Sequence, residues 1–365
     1  LAMAPGRVNL IGEYTDFNSG FVLPMTVDRG VYVAIRPRTD QRVCIASVRY
    51  QERIEYELDQ VPTVVPGHWS CYILGVVEEL RKLNLVVSGF ELVIDGDLNL
   101  GAGLSSSAAL ETATALALQA VFGFEMNRID VATLCQRVEH HYARVMCGIM
   151  DQFASGIGQS DHALLLDCRS LSHVNIPLQL GDYCVVIISS EVKRALASSA
   201  YNERRQQCEE GVALFQQHEA SVRALRDVTQ DLFDEHGAKL SPTVRQRCQH
   251  VISENQRTLD ASAALLASDF EHFGALMTAS HRSLKDDFAV SCDELDYLVE
   301  LALGTEGVLG SRMTGAGFGG CTVTLVHKNS LSDLRAKLDA YEARFFLTPE
   351  MFVLKANLEA GVITP

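Results

Sequence analysis

Four segments of the chain concentrate residues able to do chemistry. The run GAGLSSSAA, residues 101–109, sets glycines before three serines at the start of an apolar stretch. Glycines let the backbone turn tightly, and N–H groups opening a helix attract an anion. An ordinary loop with a serine cap would be spelled the same way. It is not a Walker A loop, because the chain has no Gly-Lys dipeptide. APGRVNLIGEYTDFNSGFVLP, residues 4–24, places Arg7, Glu13 and Asp16 among Asn9, Tyr14 and Asn18. Carboxylates accept from hydroxyl groups, and arginine and amides donate to them, so the set suits a polyol. The other reading is a solvated hairpin loop. In CGIMDQFASGIGQSDH, residues 147–162, Asp151 stands among small and apolar neighbours. It is either a helix N-cap or a functional acid. MTGAGFGGCTVTLV, residues 313–326, brings four glycines up to a strand. Such a loop can lay its backbone against a ligand or another surface, or make a plain turn.

The elements that must position these residues are mixed. VYVAIRPR, RVCIASVRY and FELVIDGDL are β-branched, alternating and bounded by turn residues, so residues 1 to about 100 read mostly as strand. A helix is expected from Trp69 to Leu83, and another over 105–122, where Ser105 or a neighbour can cap it and Gly123 ends it. Glu111 is the only charge in that second helix, which predicts burial nearly all round. A third helix is expected over about 130–145, with HALLLDC and YCVVIISS as strands after it. Residues 200–304 read as mainly helical. CTVTLV is then a strand, 331–344 a helix and MFVLKA the last strand. No regular βαβ alternation appears, so the class is α+β and not a Rossmann sheet. The expected boundary lies near 170–182, giving domains 1–176 and 177–365.

Composition excludes other classes. The 365 residues are 47% hydrophobic and 21% charged, as in soluble globular proteins. A formal charge of −15 repels a phosphate backbone, and no basic patch with interleaved aromatics is present, so no nucleic-acid partner is expected. The ten cysteines include no CxxC pair, which argues against a zinc cluster, and scattered apolar thiols suit a reducing cytoplasm. No apolar run reaches the ~18 residues of a membrane span, so no membrane partner is expected. His140 and His141 follow Glu139, a spacing with no familiar metal geometry.

Taken in order and at these spacings, the four segments resemble the galactokinases, a branch of the GHMP family of small-molecule kinases. GRVNLIGEYTDFNSGFVLP is similar to their signature, GAGLSSSAA to their phosphate loop, CGIMDQFAS to the segment with the catalytic aspartate, and SRMTGAGFGG to their third motif. ALASSAYNERRQQCEE and SHRSLKDDFAVSCDELD extend the likeness over essentially the whole chain. The resemblance implies a ribosomal-S5-like N-terminal domain and a ferredoxin-like C-terminal domain, with the active site in the cleft. It implies ATP-dependent phosphorylation of D-galactose at the C1 hydroxyl by a cytoplasmic monomer. Arg7 and Asp151 match the catalytic pair; Glu13, Tyr14, Thr15, Asp16, Gly148 and Tyr201 match the sugar contacts. Gly101, Ala102, Gly103, Leu104, Ser105, Ser106 and Ser107 match the phosphate loop, while Trp69, Tyr72 and Ser47 match nucleotide contacts. Ser107 and Glu139 match the ligands of Mg²⁺, which accompanies ATP.

Two positions depart from the family pattern: Phe17, where tyrosine is common, loses only a hydroxyl, and the other matters more. Tyr14 stands where galactokinases usually have histidine, near the sugar's C6 side. It reads as a tolerated variant with galactose retained, as a pocket preferring a sugar altered at C6, or as a damaged site; the first is favoured. A non-catalytic galactose sensor is the remaining alternative. The intact set of Arg7, Asp151, Ser107 and Glu139 argues against it.

Overall fold

A computed structural model describes residues 1–62, 65–86, 88–98, 103–192 and 197–363. Gly101 and Ala102 of the expected phosphate loop lie outside the described residues. The first half of the chain builds one large sheet from β1 (Ala2–Asn9), β2 (Phe21–Val22), β3 (Pro24–Pro37), β4 (Arg42–Ser47), β5 (Glu52–Glu57), β6 (Phe90–Gly96), β7 (His162–Asp167) and β8 (His173–Pro177). The second half builds a four-stranded antiparallel sheet from β9 (Tyr183–Ser189), β10 (Val308–Thr314), β11 (Cys321–His327) and β12 (Glu350–Val353), in the order β10-β11-β9-β12. A last short strand, β13 (Gly361–Val362), returns to the first sheet and pairs with β1. MFVLKA was expected to be the final strand. Its ladder stops at Val353, and β13 was not foreseen because two residues carry no readable periodicity.

Helices cover both sheets. In the first half these are α1 (Ser70–Lys82), α2 (Ser106–Phe122), α3 (Arg128–Val138) and α4 (Met150–Ile157). The second half adds α5 (Ala197–Gln216), α6 (Gln230–His236), α7 (Pro242–Leu266), α8 (Phe270–Asp286), α9 (Asp293–Leu303) and α10 (Leu331–Phe345). The first sheet is mixed, the second antiparallel, and the helices are irregularly interleaved, which is the expected α+β class. No helix among the described residues is long and apolar enough to cross a membrane.

α2 organises the first half. It has no polar face, so it sits between the sheet (β1, β3) and its neighbours α1, α3 and α4, with Ala113, Leu116, Ala117 and Leu118 in the main core. Fully burying such an aliphatic side chain contributes about 1.5–3 kcal/mol for each leucine. Glu111 is carried in with them. It has no exposed surface, and neither carboxylate oxygen has a hydrogen-bond partner. Burial, reinforced by Glu139, pushes its pKa well above the usual carboxylate range.

Two helix ends differ from expectation at functional positions. Ser105 precedes α2 but does not cap it: its φ is +55°, and its hydroxyl has no partner. The left-handed turn directs the Ser105 side chain away from the first-turn amides, so Ser105 leaves them uncapped. The third helix was expected to run to about 145. Instead α3 stops at Val138, and Glu139–Ala143 forms a π turn closed by Arg144 at φ +63°. A π turn inserts one residue and re-aims the side chains around it, a device frequent at functional sites.

Ala113 has no exposed surface and packs in the main cluster. Ala113→Leu is expected to lower unfolding free energy by about 1–3 kcal/mol through overpacking, measured by chemical denaturation.

Candidate active site

The site begins on β1. Arg7 is buried, and its backbone N–H donates to Leu104 O at 3.0 Å, which fastens the strand to the glycine-serine loop. Its guanidinium reaches in two directions. Nε donates to Asp151 Oδ1 at 2.8 Å and Nη2 lies 2.7 Å from the same oxygen, while Nη1 donates to Gly103 O at 2.5 Å. Asp151 lies in the first turn of α4 and caps nothing, since Ile149 holds the N-cap position. Ser155 of the same helix donates to Pro5 O at 2.8 Å, which locks α4 against β1. Residues 144 positions apart are thereby fixed as a pair.

Arg7 and Asp151 open on a cavity of about 390 Å³. Glu13, Tyr14, Asp16, Tyr72, Gly103 to Ser107, Glu139, Cys147 and Tyr201 line it with them. Most of the expected site is therefore gathered in one place. Among the described lining residues, the carboxylates Glu13, Asp16, Glu139 and Asp151 face a single guanidinium, that of Arg7. The carboxyl of Asp16 is pushed up to about 7, chiefly by burial and next by Asp151. Glu139 is likewise raised to about 7 by burial, while a hydrogen bond from Ser107 lowers it.

Each residue expected on the sugar side has a distinct position. One oxygen of Glu13 accepts from Gly315 N at 2.7 Å and Thr314 Oγ1 at 3.1 Å. Tyr14 holds φ +66°, donates its hydroxyl to Ala316 O at 2.6 Å, and packs its ring against Phe17, Tyr201 and Phe288. The tyrosine in the histidine position thus clasps the third motif. Thr15 is not brought to the cavity: it is fully buried, with its hydroxyl on Gly12 O and Phe21 O at 2.8 and 2.6 Å. Its surroundings make it a turn lock. Gly148 lies behind Asp16, where a Cβ would collide with the Asp16 carboxylate, so only glycine leaves that carboxylate its space.

The expected nucleotide contacts divide. Tyr72 lines the main cavity, whereas Trp69 and Ser47 line an adjoining cleft with Arg49, Tyr50, Ile94, Asp95 and Leu98. Ser106 borders both spaces, so the loop at the start of α2 lies between them. Trp69 stacks on Tyr50 with ring centroids 5.9 Å apart and donates Nε1 to Glu52 at 2.6 Å. Tyr50 was missed because it sits in a turn after β4 with no motif around it.

Sequence reasoning also missed a buried polar network behind Glu13. Arg312 has no exposed surface and donates Nη1 to Asn9 O, Leu10 O and Glu13 Oε1 at 3.1, 3.3 and 3.4 Å. His250 Nε2 lies 3.1 Å from Glu13 O. A carbonyl only accepts, so that nitrogen carries the proton. A polar stripe at 250, 254 and 258 of one helix was the available signal.

A hydroxyl and a carboxylate in contact, Ser107 and Glu139, form an all-oxygen donor pair at the cavity wall. That chemistry fits Mg²⁺, which binds through one or two protein oxygens plus substrate phosphates and water. The acid excess fits it too, because a polyphosphate entering this cavity needs accompanying positive charge.

The matching family models define the class. "GHMP kinases N terminal domain" covers residues 71–159, "GHMP kinases C terminal" covers 261–343, and "Galactokinase galactose-binding signature" covers 1–37. The galactokinase of Roseiflexus sp. (strain RS-1) is 44% identical over 362 residues, 99% of this chain and 92% of that protein. That of Chloroflexus aggregans is 46% identical over 363 residues, with the same two coverages of 99% and 92%. The crystal structure of Lactococcus lactis galactokinase complexed with galactose superposes with TM-score 0.96 at 36% identity, over 99% of this chain and 94% of that one. Methanococcus jannaschii mevalonate kinase, at TM-score 0.71 and 19% identity over 97% and 96% of the two chains, shares the fold. The chain belongs to the galactokinase family.

His250 is fully buried, and burial, the largest cause, pushes its pKa down to about 4. The unfolded value is near 6.5, so between about pH 6.5 and 4 the unfolded chain binds a proton that the folded one does not. The contribution is complete above pH 6.5 and is lost as pH falls toward 4. Buried acids such as Asp16 titrate in the opposite sense, so the informative quantity is a difference. Compared with His250→Gln, the wild type should lose up to about 3 kcal/mol more between pH 6.5 and 4, and nothing more between 7 and 8, by urea denaturation.

Proposed function

We propose that this cavity transfers the γ-phosphoryl group of ATP to the C1 hydroxyl of D-galactose, with Asp151 and Arg7 as the catalytic residues. The carrying observation is the Arg7–Asp151 pair, which stands between the glycine-serine loop and the Glu13–Asp16 turn within one cavity. The protein is a sugar kinase by family, and galactose is the ligand named for its Lactococcus lactis relative. Further support comes from the acceptor-rich wall of Glu13 and Asp16, which suits hydroxyl groups better than an anion. Gly148, behind that wall, leaves Asp16 its space, and Tyr14 and Tyr201 add an aromatic face.

Phosphoryl transfer passes through a loose transition state, so positioning and charge stabilisation carry most of the catalysis. Uncapped first-turn amides of α2, together with Gly103 to Ser107, would receive the phosphates. Arg7 would meet the charge of the transferring group. Asp151 would hold the C1 hydroxyl in line and accept its proton late, once bond formation has acidified it. Trp69, Tyr50 and Ser47 would surround the base in the adjoining cleft. Ser107 and Glu139 would hold Mg²⁺, which when bound neutralises charge on the phosphates. A division near residues 170–182, into domains 1–176 and 177–365, a monomeric state and a cytoplasmic location complete the reading. Ten cysteines, most of them buried and none in a disulfide, favour a reducing compartment.

An ADP-release assay over a panel of galactose, 2-deoxygalactose, galactosamine, N-acetylgalactosamine, fucose, galacturonate, arabinose and glucose tests the assignment. Galactose-dependent turnover that needs metal is expected. Preference for a sugar altered at C6 would make Tyr14 the specificity switch instead. Asp151→Asn should cut kcat by at least about a hundredfold, within the range of general acid–base contributions, while ATP binding stays within twofold by titration calorimetry. Near-normal kcat in that variant would remove Asp151 from the mechanism. Gly148→Ala pushes the Asp16 carboxylate aside, so the galactose KM should rise about tenfold or more with the ATP KM unchanged.

A further inference from the structure

We infer that Glu254 on α7 is a positioning residue for the sugar site, holding the turn over residues 12–16 in the shape that presents Glu13 and Asp16 to the cavity. The inference rests on the reading of that cavity as a sugar site.

Glu254 has no exposed surface and does not line the cavity. Its Oε1 accepts from Gly12 N at 3.0 Å and from Ser280 Oγ at 2.5 Å, and its Oε2 accepts from Arg257 Nε at 2.7 Å. The bond to Gly12 crosses 242 positions of sequence. Gly12 is the one residue of the turn that no side chain can replace. Its φ is +97°, and a Cβ there would meet Phe21 O at 2.8 Å and Thr258 Oγ1 at 2.9 Å. Its amide therefore points at α7 in a conformation that must be held from outside.

Neighbouring positions on α7 grip the same turn. One helical turn earlier, His250 Nε2 donates to Glu13 O at 3.1 Å. Next to Glu254, Asn255 Oδ1 accepts from Phe21 N at 3.0 Å, where the turn leaves for β2. One helical turn later stands Thr258, against Gly12. Residues 250, 254 and 258 lie on one helix face by spacing. Ser280 links the grip to Glu13 itself. Its hydroxyl donates to Glu254 and accepts from Arg312 Nε at 3.2 Å, and Arg312 Nη1 reaches Glu13 Oε1. The two carboxylates are thus held through one shared donor chain.

Burial opposes the charge of Glu254, but Arg257, then His250, Arg312 and the Ser280 hydroxyl outweigh it and bring the carboxyl down to about 2. Glu254 is therefore an anion at working pH, and charge-assisted bonds are the strong ones. The phosphate loop is fastened differently, through Arg7 to Gly103 and Leu104. Damage at Glu254 should therefore reach the sugar side and spare the nucleotide side.

Steady-state kinetics of Glu254→Gln, varying galactose and ATP separately, test this. The substitution keeps the shape, removes the charge and turns an amide N–H toward Arg257. About a tenfold rise in galactose KM is expected, with the ATP KM within twofold and kcat within about threefold. A residue serving stability alone would lower Tm and the active fraction without this split. Equal changes in both KM values, or no change in either, would overturn the inference. If Glu254→Gln does not fold, Ser280→Ala decides, since it removes one donor to Glu254 and leaves the others. A rise of about threefold in galactose KM alone is expected there, and its absence overturns the inference. The wild type separates the two readings. No galactose turnover in the wild type refutes the sugar site itself, whereas wild-type turnover without the split in the variants refutes only the role of Glu254.

Discussion

A buried charge must be met by partners, and the arrangement around Glu13 follows from that rule. Glu13 and Arg312 are both removed from solvent, so the partners they have come from the chain itself, and Arg312 Nη2 is left without one. Glu13 takes Gly315 N and Thr314 Oγ1; Arg312 takes the carbonyls of Asn9 and Leu10 and the hydroxyl of Ser280. Those bonds draw the end of β1, the third motif and α8 to one point. Removing a single partner would strand the rest in a low-dielectric interior, where each unmatched polar group costs about 1–3 kcal/mol. The network is thus both the seam between the two sheets' territories and the back wall of the site.

In front of that wall the electrostatics run the other way. The cavity is crowded with carboxylates, and burial raises two of them, Asp16 and Glu139, to about 7. An acid-rich pocket is a poor host for a polyphosphate alone and a good host for a cation-bound one. It is also a good host for hydroxyl groups, which donate to every carboxylate in turn. Arg7, the one cation among the described lining residues, touches both the glycine-serine loop and Asp151. Its backbone is tied to Leu104 and its Asp151 partner is held by α4, so its side chain has little freedom to lose on binding.

Close approach sets the remaining geometry. Gly148 gives the Asp16 carboxylate its space, and the third motif brings bare backbone to Tyr14 and Glu13. Tyr14 spends its hydroxyl hydrogen on Ala316, so toward this loop it does structural work that a shorter imidazole would do over a different distance.

Much of this was legible in the chain alone. Glycine runs, serines at a helix start, isolated acids between strand-like flanks and an apolar helix with one glutamate are local patterns, and local patterns follow from sterics and periodicity. They located Arg7, Glu13, Asp16, Asp151 and Ser107 and gave the α+β class. Thr15 read as a sugar contact because it falls in the run that resembles the family signature, but its hydroxyl lies within hydrogen-bond reach of two carbonyls inside the turn. Ser105 read as a cap but holds a left-handed turn. Glu254, His250 and Arg312 left only faint marks, since a polar residue on a helix face reads as solvated until something is known to cover it. The sequence by itself determined which residues can do the chemistry, because side-chain type and spacing are local properties. Only the tertiary structure decided which of them meet and which hold the others in place, because burial and long-range hydrogen bonding depend on segments hundreds of residues apart.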